Sequence, residues 1–99
     1  MLRHILVFKM KENALGKTGK ENCLELKRMI DALYGVIPQL KKMDTGFNIR
    51  KGATDYDLGL YSEFDSLKDL NIYRDHPAHV KVGEFIKETV EDRKVADWE

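Results

Sequence analysis

Residues Leu2 to Met10 constrain this chain most, because an extended reading of them puts apolar side chains on both faces. His4, Leu6, Phe8 and Met10 alternate onto one face, and Ile5 and Val7 onto the other. A strand of that kind has to be covered on both sides, so it is expected at the centre of its sheet.

The rest of the chain supplies the covering elements. Lys11 to Gly19 is polar, carries Gly16 and Gly19, and reads as a loop. Thr18 and Glu21 stand at capping-box spacing, so hydroxyl and carboxylate can satisfy each other's backbone N–H groups. Leu26, Ile30, Leu33 and Ile37, widened by Met29, then recur at helical steps. The spacing predicts a helix over Gly19 to Tyr34, ended by Gly35 and Pro38. Met43 to Arg50 alternates weakly through Phe47 and Ile49 as a second strand, with a turn over Lys51-Gly52-Ala53-Thr54-Asp55. Tyr56 to Phe64 is a clearer third strand, with Leu58 and Leu60 on one face; Gly59 in its interior implies a bulge or a close approach.

Ser66 and Asp69 give another capping signal, followed by a short helix through Leu67, Leu70 and Tyr73. It is expected to break near His76, because Pro77 disfavours α conformation in the residue before it and suits the first position of a new helix. Val82, Phe85, Ile86 and Val90 mark the buried side of that helix, and Arg93 to Glu99 reads as a last strand. The order is β-α-β-β-α-β with the second helix split: an α+β, ferredoxin-like sandwich. With 99 residues and no repeat or linker, residues 1–99 read as one domain.

Two helices cover one face of such a sheet. The other carries Ile5, Val7, Gly59 and Tyr61, with Phe47 or Ile49 as further candidates. An apolar area of that size points to an interaction surface, and a second copy packed sheet to sheet across a two-fold axis covers it, giving a homodimeric α/β barrel. A monomer with one solvated sheet face is the alternative.

Charge and cysteine usage narrow the function. Seventeen Lys and Arg balance seventeen Asp and Glu, which argues against nucleic acid, a ligand that normally meets a basic excess. The longest apolar run, Ile5 to Phe8, is too short for a membrane span or a signal segment. The single cysteine, Cys23, forms no intramolecular disulfide, so a cytoplasmic, reducing setting is expected. In the first helix it has no histidine or lysine motif to activate it and reads as an inert thiol.

The segment Tyr73-Arg74-Asp75-His76-Pro77-Ala78-His79 concentrates the chemistry-bearing side chains. His79 falls in the first turn of a helix, where the positive dipole end disfavours imidazolium and leaves a neutral base. Asp97 can fix the tautomer of a histidine, and Tyr73 can donate to a developing oxyanion. His4 shares its face with Leu6 and Phe8, so these three, with Leu58, Leu60 and His76, are candidate lining residues of a pocket between helices and sheet. The structural alternatives are a helix cap for His76 and a core histidine bonded to Asp97 for His79. A metal site from His4, His76 and His79 is disfavoured, because their i, i+3 pair spans a proline break.

The Leu2-Arg3-His4-Ile5-Leu6-Val7-Phe8-Lys9 opening, Ile37-Pro38 with Gly46, Ser62-Glu63-Phe64-Asp65-Ser66-Leu67, the Tyr73…His76-Pro77-Ala78-His79-Val80 run and the Val95-Ala96-Asp97-Trp98-Glu99 close resemble the stress-responsive A/B barrel (Dabb) domain family over essentially the whole chain. The resemblance implies a dimeric α+β barrel of ferredoxin-like protomers. Family members include stress-induced plant proteins and a polyketide cyclase that uses neither metal nor organic cofactor. The cyclase's base, its assisting aspartate and its tyrosine match His79, Asp97 and Tyr73, and a pocket histidine matches His4. The cyclase also lines an alkyl pocket with aromatic residues of its first helix, where this chain has Glu21, Asn22, Cys23 and Leu24. The expectation is therefore a homodimer with a small-molecule pocket, no cofactor and no metal. A general-base enzyme built on His79 and a stress-related structural or chaperone-like protein are the alternatives.

Overall fold

The computed structural model describes residues 1–50, 52 and 54–99. Strand β1 (Leu2–Met10) buries Leu2, His4, Leu6, Phe8 and Met10 and turns Ile5 outward, as its alternation predicts. The following loop holds a small hairpin, β2 (Asn13–Ala14) and β3 (Lys17–Thr18), that the polar composition did not suggest. Its turn places Leu15 and Gly16 at positive φ, and Gly19 closes it by donating its N–H to the Glu12 carbonyl at 2.8 Å. A Cβ on Gly19 would lie 2.5 Å from the Lys11 carbonyl oxygen, so only glycine fits.

Helix α1 (Gly19–Asp31) begins with the expected capping box of Thr18 and Glu21. It ends three residues before Tyr34, and the chain leaves through turns to Gly35 at φ 87°. Strand β4 (Lys42–Phe47) is shorter than the Met43-to-Arg50 reading. Asn48 ends it: its side chain donates to the Tyr56 carbonyl at 2.7 Å and accepts the Arg50 N–H at 3.0 Å, so Ile49 lies outside the sheet and is 92% exposed. Two residues of the expected turn, Lys51 and Ala53, lie outside the described residues.

Strand β5 (Leu58–Phe64) starts two residues later than the alternation suggests, because Asp57 serves the end of β1 instead. Its N–H donates to the Phe8 carbonyl and its carboxylate accepts the Met10 N–H, both at 2.7 Å. Gly59 marks no bulge, and a Cβ there would make only ordinary contact with the Gly46 carbonyl. The ladder's irregularity falls between Lys9 and Met10, where β1 meets β6. Helices α2 (Leu67–Asp75) and α3 (Pro77–Thr89) are the two halves of the split helix, and β6 (Val90–Trp98) is three residues longer at its start than expected.

The antiparallel sheet has the order β4-β5-β1-β6, with β1 inside, and the helices lie on one face: a ferredoxin-like α+β fold. Register sorts the faces. Leu58, Leu60 and Phe64 pair with Phe8, Leu6 and Leu2 on the helix side, where Leu26, Ile30, Leu70 and Val82 complete the core. Phe47 pairs with Leu58 and so also faces the helices, with the Lys27 ammonium 5.8 Å above its ring; it does not belong to the open face. The open face carries Ile5, Val7, Gly59 and Tyr61, and gains Ala96 and Trp98 from β6.

Candidate functional site

The site grows from the helix break. Pro77 stops α2 and starts α3, which leaves carbonyls at the end of one helix and N–H groups at the start of the other without intrahelical partners. Two histidines satisfy them. His76 adopts extended backbone and accepts the Ala78 N–H on Nδ1 at 3.0 Å, capping α3. His79 donates from Nδ1 to the Arg74 carbonyl at 3.2 Å, since a carbonyl oxygen only accepts. The tautomers are therefore opposite: His76 keeps its proton on Nε2, whereas His79 keeps its lone pair there. The cap reading of His76 describes its placement, and its ring does not join the His79 groove described below.

An aromatic row runs from His79 into the core. The His79 and Tyr73 rings are 4.6 Å apart, Tyr73 and Phe64 4.9 Å, and Phe64 meets His4 edge-on at 6.3 Å. Tyr73 is buried, and burial holds its phenol well above the ordinary range, so it stays protonated. Burial is also the main influence on His79 and pushes its pKa down; the Arg74 carbonyl opposes this, while the charges of Arg74, His4 and Arg93 add to it.

Asp97 holds a different histidine from the one expected. Its carboxylate pairs with Nδ1 of His4, not with His79. Register is the reason, because His4 and Asp97 stand directly opposite in the β1–β6 ladder and share a face. His79 meanwhile spends its Nδ1 proton at the helix break. The expected interior hollow bounded by His4, Leu58, Leu60, Tyr73 and His79 is also corrected. Leu6, Phe8, Leu58 and Leu60 are packed into one core with the helix side chains, and Tyr73 joins them. Four aliphatic and aromatic side chains that meet apolar helix faces close on them rather than leave space.

Open space lies at the rim instead. A groove of about 810 Å³ runs between α3 and the start of β6, with His79, Arg74 and Arg93 among its lining residues. Val80, Ile86 and Val90 give it apolar walls, and Gly83 keeps it open: a Cβ there would meet nothing within 4 Å. Arg93 pairs with Phe8 and so projects from the helix-side face of β6, as do Val95 and Asp97. Arg74, Gly83 and Arg93 were not singled out by the sequence. Arg74 sits inside the histidine segment, but the register that aims Arg93 at it is a tertiary property.

A second cleft of about 1000 Å³ lies between the β2–β3 hairpin, the start of α1 and the approach to β5, and includes Met10, Cys23, Leu24, Phe47 and Tyr56. Burial, aided by the Asp57 charge, pushes the Cys23 thiol up to about 11, in keeping with an inert sulfur. Among the described residues, no three His, Cys, Asp or Glu side chains are grouped so as to hold a metal ion. No helix of the described residues is long and apolar enough to cross a membrane.

Fold and site together define a ferredoxin-like α+β domain with an imidazole set at a groove between its last helix and an edge strand. The model of the stress responsive A/B barrel domain matches residues 2–99, and the chain belongs to that family. It is similar to the stress-response A/B barrel domain-containing protein DABB1 of Arabidopsis thaliana, 27% identical over 103 residues that cover 99% of this chain and 46% of the relative. The chain thus spans about half the length of that relative. Among solved structures, a dimeric protein of unknown function with a ferredoxin-like fold from Bacteroides fragilis is 34% identical, with a TM-score of 0.86 over 99% of this chain and 94% of that one. The hydroxynitrile lyase of Passiflora edulis has the same fold at 18% identity, with a TM-score of 0.79 over 98% of this chain and 90% of that one.

Proposed function

We propose that this chain is a homodimeric small-molecule-binding domain, joined through its open sheet faces, that presents His79 as a neutral base to a ligand lying between α3 and β6. The observation that carries this reading is the His79 tautomer. Its Nδ1–H is spent on the Arg74 carbonyl, so the Nε2 lone pair is the group left for the groove. Burial favours the uncharged ring, which a base requires. Such an imidazole takes a proton from a carbon next to a carbonyl, and Tyr73, buried behind it and outside the groove, holds the ring in place by contact and is a positioning residue, not the expected oxyanion donor. His4, held by Asp97, anchors the inner end of the aromatic row and acts by positioning. That a hydroxynitrile lyase shares this fold supports its capacity to host an enzyme site.

Histidine-selective NMR with small ketones and 1,3-diketones titrated in tests the binding. Saturable shifts of the His79 ring are expected. Deuterium exchange at the ketone's α-carbon tests the base, with a rate about a hundredfold or more above that of His79→Gln. No response at His79 across the panel overturns the binding reading; a response without accelerated exchange removes the base and leaves a binding domain.

A further inference from the structure

We infer that Arg74 and Arg93 make this groove a subsite for a small organic carboxylate, a step that rests on the groove reading above and names its ligand class. Both guanidinium-bearing residues line the groove, and neither has an ion-pair partner among the described residues. Other arginines of the chain do: Arg28 pairs with Glu25 and Arg50 with Asp55. Of the groove's own acids, none is ion-paired with either arginine. Asp92 is held by the Tyr56 hydroxyl and by Lys94 at 3.5 Å. Glu84 and Glu91 line the groove too, with Lys87 beside them.

An uncharged imidazole in a groove with two guanidinium groups that no carboxylate pairs is a better host for an anion than for a cation. The walls of Val80, Ile86 and Val90, with the open space at Gly83, favour a carboxylate that carries an aryl or alkyl body over a bare inorganic anion. The fork of an arginine matches a carboxylate with two parallel hydrogen bonds, so replacing the carboxylate by a neutral amide of the same shape removes the charge while keeping the body.

Titrating benzoate, benzamide and inorganic phosphate into the full chain, with the His79 ring resonances as readout, tests this. Benzoate is expected to bind about tenfold or more tightly than either of the others. Arg93→Gln and Arg74→Gln are each expected to erase the preference for benzoate over benzamide, and Arg93→Lys to restore part of it. Both arginines are exposed, so these variants are expected to fold. Equal affinity for benzoate and benzamide, unchanged in the variants, overturns the carboxylate subsite while sparing the groove as a binding site. Preferred binding of phosphate overturns the carboxylate class. No response of His79 to any of the three overturns the subsite, and the ketone titration then judges the groove separately.

Discussion

At the scale of single residues, the two histidines flanking Pro77 do opposite work with the same ring atom. His76 Nδ1 accepts and His79 Nδ1 donates, because one faces an orphan N–H and the other an orphan carbonyl. His79 therefore has a pH consequence. Its surroundings are the buried Tyr73 ring from α2, the Arg74 carbonyl and charge, and the charges of His4 on β1 and Arg93 on β6. The folded ring binds a proton at lower pH than the unfolded chain, whose histidine titrates at about 6.5. Between those two values the unfolded state holds the extra proton, so stability falls as pH drops through about 6.5 and levels off once the folded ring is charged. Urea midpoints from about pH 7 to pH 5 are expected to fall more steeply for the native sequence than for His79→Gln. Parallel slopes count against a depressed imidazole. The candidate site was partly legible at this scale. His4, Tyr73 and His79 share one aromatic row and Asp97 joins it through His4, but which histidine Asp97 holds depends on strand register, which spacing along the chain does not contain.

At the scale of elements, local chemistry decides the helix starts. Thr18 with Glu21, Ser66 and His76 each satisfy an N–H of the turn that follows. His76→Ala is expected to cost about 1 kcal/mol of stability through the lost cap, while His76→Asn, which retains an acceptor, recovers most of it. The same loss frays the first turn of α3, which carries His79, so weaker ligand binding by His76→Ala is expected with it. Equal denaturation midpoints for all three proteins would show that the cap contributes nothing. Element ends were harder to read than element types. Asn48 stops β4 and Asp57 delays β5 through side-chain bonds to backbone groups remote in sequence, Tyr56 and Met10 respectively. Alternation of apolar residues carries no trace of such bonds.

At the scale of the whole molecule, the open sheet face is the surface on which the proposed homodimer rests. Ile5, Val7 and Tyr61 share it with Ala96 and Trp98, and Ile5 and Trp98 are 38% and 44% exposed. A second copy covers such a face by the same residues on both sides. Sedimentation at micromolar concentration is expected to return twice the chain mass, and Ile5→Glu, which puts a charge on the apolar open face of each copy, to return the single mass. Emission of the one tryptophan, Trp98, is expected to shift to longer wavelength in that variant. A single mass for the native sequence sinks the homodimer.

Residue order and chemistry suffice to make β1 central, to divide a helix at Pro77 and to leave one sheet face uncovered by helices. These follow from side-chain alternation, capping chemistry and the geometry of proline, all properties of residues a few positions apart. Tertiary structure alone decided where open space lies. Leu6, Phe8, Leu58 and Leu60 were equally compatible with a pocket wall or a packed core, and the helix side chains that meet them made them core. It also decided that Asp97 faces His4 and that Arg93 reaches the groove of His79, because strand register joins positions at opposite ends of the chain.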